Sequence, residues 1–370
     1  MNNDLRVAIL IPTRNRADFV IRQLRYYASV NCPHTIYIGD SSNQEDSEKI
    51  KNEIDELKNK INIVYEYLPD LTRGSADAAK HLLLIAKEKY SCYSCDDDYQ
   101  IPNSLTTCAE FLENNPDYAT ASGYEVNFRL KNNGVHGDLG RLSDCPIPEI
   151  LDESAANRLL HFFSDNFVSL FFVNRTDQLL KSHEHTSEVR DHMISSEFLP
   201  AALSIVAGKS RTLDCLGYIR QMHDQHRPQL TSSPLEWILS PEWNGSYKIF
   251  ENVVSEAVSK KDNTPLKDAA KVAEQAFALH LLKWMGGRRK YKHNIIPRNN
   301  FYEKFLKPVR SKIAQIFPFL KYIYRIQIKQ KLHGKKEIHY EVIRRGSRYY
   351  KDFKPVMDSF TGLTLFEKHI

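Results

Sequence analysis

Three consecutive aspartates, Asp96, Asp97 and Asp98, follow the strand-like run Tyr90–Cys95 and precede a turn at Gln100–Pro102. Adjacent carboxylates repel one another, so a fold places them either in water or against a cation. Carboxylate oxygens are the hard ligands that Mg²⁺ and Mn²⁺ prefer. The stretch therefore predicts a divalent-metal site, and the alternative is a solvated acidic turn.

Strand-like runs alternate with helix-like segments ahead of the aspartates. The aliphatic run Arg6–Ile11 is typical of a parallel strand covered on both faces, and similar runs lie at residues 35–40 and 61–67. This alternation predicts an α/β fold with a mostly parallel sheet flanked by helices, whose ligands bind beyond the carboxyl ends of the strands. Four polar residues fall at such ends, namely Thr13, Asp40, Asp70 and Asp96.

These strand ends resemble the nucleotide-binding half of family 2 glycosyltransferases with the GT-A fold. The resemblance is carried by Ile9–Arg16, Ile38–Ser42 and Cys95–Asp98, and it extends over roughly residues 5–230. It implies a Rossmann-like GT-A fold and transfer of a sugar from a nucleotide diphosphate sugar, with a UDP-sugar as the expected donor.

The resemblance also implies which residues bind the nucleotide. The loop Pro12-Thr13-Arg14 and Asp40 would hold the base and the ribose. Asp70 and Arg73 are further candidates in the third loop. That loop reads Thr72–Asp77 where the family often has Asn-x-Gly followed by Ala-Arg-Asn, so it departs from the family pattern.

Asp96-Asp97-Asp98 takes the place of the family's metal-binding DxD motif. Asp96 and Asp98 would hold Mn²⁺ or Mg²⁺ across the diphosphate, with Asp97 also contacting the nucleotide. Further along, Tyr218–Arg227 resembles an element that closes over the diphosphate. In this interpretation His223 completes the metal coordination and Arg220 neutralises the phosphates. The alternative is a polar loop that happens to contain two histidines.

Residues 191–208 resemble the family segment in which an acidic pair opens a helix that ends in Ala-Gly. Glu197 lies eleven residues before Gly208 and is the candidate general base for the acceptor hydroxyl. Asp191 is the second candidate. The alternative for Glu197 is a helix N-terminal glutamate that interacts with the helix dipole.

The remaining pattern after the aspartates is less regular. Ala119–Asn127 is predicted as a strand turning away from the sheet, and the polar residues 129–150 as a long irregular loop. Phe167–Val173 is predicted as a buried strand. The six cysteines are too widely spaced for a disulfide scaffold, so free thiols are expected.

The 370 residues suffice for one large or two medium domains, since 42% are apolar. We predict a GT-A domain at residues 1–230, with a nucleotide-sugar half at about 1–128 and an acceptor half at about 129–230. Residues 231–370 are predicted as a mainly helical, basic region. No run of 18 apolar residues and no secretory signal occur, so a cytoplasmic protein is expected.

The net charge of +5 is unevenly distributed. Lys283–Pro355 contains 21 Lys and Arg against four acidic residues, a net charge of +17, so the remainder carries −12. Thr264–Met285 is predicted as a helix, and Ile313–Leu332 alternates aliphatic and aromatic with basic residues. The latter segment could lie on an anionic membrane at the inner face of the cell, on the catalytic body or on a second subunit.

The sequence thus favours an inverting, metal-dependent glycosyltransferase that builds a bacterial surface glycan on a glycan or lipid-linked acceptor. A nucleotidyltransferase is the first alternative, although the glycine-rich phosphate loop is missing. A non-catalytic nucleic-acid-binding protein that uses the basic region is the second. A glycosyltransferase acting on modified DNA would combine the two.

Overall fold

The computed structural model describes residues 5–71, 75–165, 169–224, 233–292 and 337–361. Its strands are β1 (Val7–Thr13), β2 (Thr35–Asp40), β3 (Asn62–Tyr67), β4 (Tyr90–Tyr93), β5 (Tyr99–Gln100), β6 (Tyr118–Leu130), β7 (Leu139–Cys145), β8 (Val173–Arg175) and β9 (Lys209–Gln221). Its helices are α1 (Ala17–Ser29), α2 (Gln44–Leu57), α3 (Ser75–Ile85), α4 (Pro102–Asn114), α5 (Ala155–Asp165), α6 (Thr176–Ser182), α7 (Leu199–Ala207), α8 (Pro234–Ile238), α9 (Trp243–Asp262), α10 (Leu266–Lys292), α11 (Ile338–Glu341) and α12 (Arg348–Thr361). Arg73, residues 225–232 and the segment Ile313–Leu332 lie outside the described residues.

One sheet organises the described strands, in the order β3-β2-β1-β4-β8-β6-β9-β5, with β7 beside β6. Strands β3, β2, β1 and β4 are mutually parallel. Beyond β4, the pairings with β8 are antiparallel, whereas β6 and β9 run parallel to each other. The predicted α/β fold class, a mostly parallel sheet flanked by helices, is confirmed, and the second half of the sheet is mixed.

The strand β1 is a continuous apolar run because helices cover both of its faces. Alternate residues of β1 point to opposite sides: Ile9 and Ile11 join a core that contains α1, whereas Ala8 and Leu10 join a core that contains α3. Residues 7–11 are all fully buried. This double coverage leaves the carboxyl ends of the strands as the place where polar loops meet.

Two predictions for the segment after α4 are wrong. β6 does not turn away from the sheet but lies inside it, between β7, β8 and β9. The segment 129–150 is not one irregular loop, because Leu139–Cys145 forms β7 and pairs antiparallel with β6. β7 is a partly exposed strand with few apolar residues, so its sequence carries almost no hydrophobic signal.

The predicted strand Phe167–Val173 is also corrected. β8 begins at Val173, residues 166–168 lie outside the described residues, and Phe172 closes a turn onto Ser169. Phe171 packs against β9 instead: its ring stacks on Tyr218 with 4.7 Å between the ring centroids. The apolar character of Phe171 thus reflects packing beside the acidic turn.

Helices beyond residue 230 share cores with the residues before it. α9 and α10 pack with α5 and α7 in one core, and Phe250 and Phe277 are its large buried side chains. α11 and α12 join the core of the parallel strands through residues such as Phe353 and Phe360. The predicted boundary at residue 230 therefore does not coincide with a break in the packing.

The cysteines and the helices also bear on the predictions made from composition. All six cysteines are free, as predicted. Among the helices of the described ranges, none combines the length and the apolar character needed to span a bilayer.

Candidate functional site

The three aspartates lie in a turn at the carboxyl end of β4, where the Asp98 amide donates to the Cys95 carbonyl. They are only 5%, 1% and 1% exposed for Asp96, Asp97 and Asp98. A solvated acidic turn is thereby excluded. Buried carboxylates require charged or hydrogen-bonding partners, and those partners define the site.

Two residues near the end of β1 contact Asp96. They are Thr13, the last residue of the strand, and Arg16, three residues further on. The Thr13 hydroxyl donates to Asp96 Oδ2 at 2.8 Å, and Arg16 Nη1 lies 3.0 Å from Asp96 Oδ1. Arg16 also donates through Nη2 to Asp97 Oδ2 at 2.7 Å. Its guanidinium lies 4.5 Å from the Phe19 ring centroid, so the aromatic ring fixes the cation over both carboxylates.

His223 contacts the same Asp97 oxygen from the other side. Its Nε2 lies 2.8 Å from Asp97 Oδ2 and 3.2 Å from Arg16 Nη2, and the residue is 2% exposed. The ring stacks on Phe19 with 5.5 Å between centroids. The structure therefore brings the predicted residue His223 to the acidic turn, with Asp97 as its partner.

Asp98 accepts two hydrogen bonds from β9. The Tyr218 hydroxyl donates to Oδ2 and the Gln221 amide donates to Oδ1, both at 2.7 Å. Arg220 Nε lies 3.9 Å from Oδ2, and its side chain is 24% exposed. Residues 218–221 thus belong to a strand and not to a polar loop, and they present Arg220 beside the acidic turn.

Burial and mutual repulsion raise the pKa values of two carboxyl groups of this turn. Burial, followed by the charge of Asp97, raises the pKa of Asp98 to about 8, against the opposing influence of Arg220. The same two causes raise the pKa of Asp96 to about 6, while Arg16 opposes them. A cation that entered the turn would favour the ionised carboxylates and release protons.

Two buried polar residues of α1 hold the backbone of the turn, and sequence reasoning missed both. Arg22 Nη2 donates to the Asp97 carbonyl, and its Nη1 donates to Gln221 Oε1. Gln23 Nε2 lies 2.7 Å from the Asp98 carbonyl and 2.9 Å from that of Cys95. The available signal was a pair of polar residues on the apolar face of a predicted helix.

The residues predicted to bind the nucleoside have different surroundings. Asp40 is fully buried and uses both oxygens internally, since Oδ1 accepts from the Ser42 amide and Oδ2 from the Tyr65 hydroxyl. It therefore shapes the loop after β2. Arg14 is exposed near Pro12, and Asp70 is exposed three residues beyond the end of β3.

Within the described ranges, one group of side chains could hold a metal ion together. Ligand atoms of Cys95, Asp97 and Asp98 lie within 4.8 Å of one another. The predicted set of Asp96, Asp98 and His223 is not gathered in this way, because Asp96 faces Arg16 and His223 faces Asp97. The carboxylates of Asp97 and Asp98 fit a hard ion such as Mn²⁺ or Mg²⁺, whereas a thiol suits softer metals.

The two candidate bases have different surroundings. Asp191 is 8% exposed and caps a helical segment, since Oδ1 accepts from the Ile194 amide and Oδ2 from the Trp237 indole. Glu197 is half-buried on the single π-helical turn Ile194–Phe198, which contacts α3 and α9. Such turns are frequent at functional sites.

No protein-family model and no curated protein sequence matches this chain. Solved structures of S. aureus TarS resemble it at low similarity. One covers 80% of this chain with 14% identity and a TM-score of 0.48, and the chain covers 46% of that TarS chain, about half of its length. The structure of TarS 1–349 in complex with UDP-GlcNAc is 12% identical, with coverage of 98% of this chain and 93% of that one and a TM-score of 0.49. The UDP complex is 13% identical, with 97% and 90% coverage and a TM-score of 0.44. At these values the likeness does not define a family for this chain.

Proposed function

We propose that the protein is a glycosyltransferase that moves a sugar from a nucleotide diphosphate sugar, with a UDP-sugar as donor, to an acceptor hydroxyl. The observation that carries the proposal is the buried acidic turn Asp96–Asp98 at the carboxyl edge of parallel strands, ringed by Arg16, Arg220 and His223. This edge is where open α/β sheets bind ligands. The resemblance of the surrounding loops to family 2 glycosyltransferases supports the same activity.

The turn fits a divalent ion as part of this proposal. Asp97 and Asp98 would hold Mn²⁺ or Mg²⁺, with Asp96 beside them. When bound, such an ion supplies positive charge that offsets the charge of a departing diphosphate. Arg220 is partly exposed next to Asp98, and its guanidinium offers donors in the geometry that suits phosphate oxygens.

Glu197 is the general base in this mechanism. It takes the proton of the acceptor hydroxyl while that oxygen attacks the anomeric carbon and the bond to the diphosphate breaks. One direct displacement inverts the anomeric configuration. Both Asp191 oxygens accept hydrogen bonds from internal donors, which suits Asp191 to a structural role, and Glu197 is retained as the proposed base on the resemblance of its segment.

The cellular location of the reaction is proposed from the basic charge of the C-terminal region. The excess of +17 over Lys283–Pro355 is suited to an anionic partner. A cytoplasmic enzyme that contacts the inner face of the membrane and glycosylates a glycan or lipid-linked acceptor of a bacterial surface glycan accounts for it. Assembly with a second copy and contact with nucleic acid are the competing uses of the same charge.

The experiment that tests the function is release of nucleoside diphosphate from a panel of nucleotide sugars, with and without Mn²⁺. We expect release from at least one UDP-sugar that requires the metal. Glu197→Gln should lower turnover by roughly 10²–10⁴-fold with nearly unchanged donor affinity, because it removes only the proton acceptor. Glu188→Gln, at an exposed position, is the matched control.

Two outcomes would count against the proposal. Neither binding nor turnover of any nucleotide sugar by the wild type would reject the activity. More than about a tenth of wild-type turnover in Glu197→Gln would reject Glu197 as the base, since the loss would fall short of what a positioned base contributes. Tight, salt-sensitive binding of nucleic acid after neutralisation of the aspartates would favour the non-catalytic alternative.

A further inference from the structure

Glu125 of β6 is a buried carboxylate that the proposed mechanism does not use. It is 4% exposed, and its Oε1 has no hydrogen-bond partner among the described residues, whereas the Cys145 thiol of β7 hydrogen-bonds to the carboxyl group. Asn127, two residues further along the same strand, has an equally unsatisfied buried Oδ1. Buried acceptors without donors cost about 1–3 kcal/mol each, so two on one strand require an explanation.

The register of the sheet places both side chains on the face that carries the acidic turn's partners. Glu125 pairs with Tyr218 of β9, and Asn127 pairs with Arg220. Residues paired in this way point to the same side of a sheet. Tyr218 and Arg220 are the residues that contact Asp98, so Glu125 and Asn127 lie in the next row across the sheet from the turn.

Arg220 lies between the two acidic groups. Its Nε is 3.9 Å from Asp98 Oδ2, and its guanidinium lies 5.1 Å from the centroid of the Phe171 ring. The charges of Asp98 and Glu125 both raise its pKa, in opposition to burial. Burial raises the pKa of Glu125 to about 7, with Arg220 opposing the shift. Glu125, Asn127 and Arg220, called the wall below, therefore combine two acceptors, Glu125 and Asn127, with one donor, Arg220.

The chemistry of this wall selects its ligand. A phosphate group offers no hydrogen-bond donor and would be repelled by Glu125, and a nucleobase offers few donors. A sugar ring presents adjacent hydroxyls, each of which donates one hydrogen bond and also accepts. The sugar is attached directly to the diphosphate, whose expected position is the acidic turn beside Arg220.

We propose that Glu125, Asn127 and Arg220 form a hydroxyl-binding wall for the transferred sugar, with Glu125 as the residue that determines which sugar is accepted. This inference rests on the proposed function and goes beyond it, because it separates recognition of the sugar from recognition of the nucleotide. Glu125 accepts hydrogen bonds from ring hydroxyls, and Arg220 donates to a hydroxyl or to the adjoining phosphate.

Titration calorimetry with UDP and with UDP-sugars, both in the presence of Mn²⁺, tests the wall. We expect Glu125→Gln to weaken binding of the best UDP-sugar about tenfold, the range of one charged hydrogen bond, and to change UDP affinity less than twofold. Asn127→Ala should act in the same direction. Glu153→Gln, whose side chain is 88% exposed, is the matched control and should change neither affinity.

Deoxyfluoro analogues of that sugar add a second readout, because fluorine does not donate a hydrogen bond. At least one analogue should bind the wild type more weakly than the parent sugar, and that difference should shrink in Glu125→Gln. Retained sugar affinity in both Glu125→Gln and Asn127→Ala, with UDP binding intact, would overturn the wall and leave the proposed function standing. A wild type that binds neither UDP nor any UDP-sugar would overturn the proposed function itself.

Discussion

Each buried carboxylate of the acidic turn has its own positive or hydrogen-bonding partner. Arg16 forms ion pairs with Asp96 and Asp97. Arg220 lies near Asp98, and the Tyr218 hydroxyl donates a hydrogen bond to it. Pairing of this kind offsets the cost of removing charge from water. It also means that an entering cation must compete with side chains that already neutralise the turn, above all with Arg16.

Arg16→Gln should therefore raise the affinity of the nucleotide-free protein for Mn²⁺. We expect about a tenfold increase, or ~1.4 kcal/mol, because the variant removes a resident cation that lies on Asp96 and Asp97. Titration with Mn²⁺ followed by electron paramagnetic resonance measures the free ion directly. Arg25→Gln is the control, since Arg25 lies on α1, the helix that follows Arg16, but pairs with Glu53. Weaker metal binding in Arg16→Gln would instead mean that Arg16 organises the ligands.

The raised pKa of Asp98 has a consequence for stability. The native value of about 8 lies above the ordinary 3.8, so the folded state holds this proton more tightly than the unfolded chain does. The resulting stabilisation is fully present below the ordinary value and is lost as the pH rises through about 8. Asp96, with its pKa raised to about 6, adds a loss of the same sign at lower pH.

Asp98→Asn should flatten this pH dependence, because the amide oxygen still accepts from the Gln221 amide and the amide nitrogen can donate to the Tyr218 hydroxyl, whereas the side chain no longer ionises. Thermal unfolding followed by circular dichroism at pH 5, 7 and 9 in EDTA compares the two proteins. We expect the melting temperature of the variant to fall less between pH 5 and 9 than that of the wild type. Parallel curves would show that Asp98 ionises normally in the folded protein.

At the scale of elements, the sequence was informative where local pattern and tertiary environment agree. The strand β1 could be predicted because a doubly covered strand is a continuous apolar run, and β3, although partly exposed at the sheet edge, still has a β-branched and aromatic pattern. β7 could not, since a partly exposed strand of seven residues has neither an apolar run nor strict alternation. The aspartates were recognisable from composition, whereas Gln23 supports them through contacts that exist only after α1 packs against the turn.

Helix α1 is thus expected to be a structural support of the site. Gln23→Leu keeps the approximate size of the side chain and removes the donor to the carbonyls of Cys95 and Asp98. Loss of these contacts should cost about 1–3 kcal/mol in urea unfolding, because buried carbonyls are left unsatisfied. The affinity for UDP with Mn²⁺ should fall as well, since the turn loosens. Asp18→Asn, at an exposed position of the same helix, should change neither quantity.

At the scale of the whole molecule, the last described helix of the chain packs into the core that contains β1 and α1. α12 packs against α1, and its residues Tyr349, Phe353, Val356 and Phe360 are almost completely buried with the strands of the nucleotide half. The Phe360 ring stacks on Phe128 of β6 at 4.8 Å between centroids. The segment after the basic region is therefore part of the main body that contains the sheet, although its sequence was assigned to a separate basic region on the basis of charge.

Phe353→Ala tests whether α12 belongs to that body. Phe353 is fully buried, so its truncation removes apolar contacts and leaves a cavity, at an expected cost of about 3–5 kcal/mol. Urea unfolding measured by circular dichroism gives the change, and Lys351→Ala, at an exposed position of the same helix, should stay within about 0.5 kcal/mol of wild type. Because the core that contains Phe353 also supports β1 and α1, we expect the variant to lose UDP affinity in proportion to the fraction unfolded and not before. Unchanged stability in Phe353→Ala would place α12 outside the core, and residues 337–361 would then belong with the basic region, as their charge first indicated.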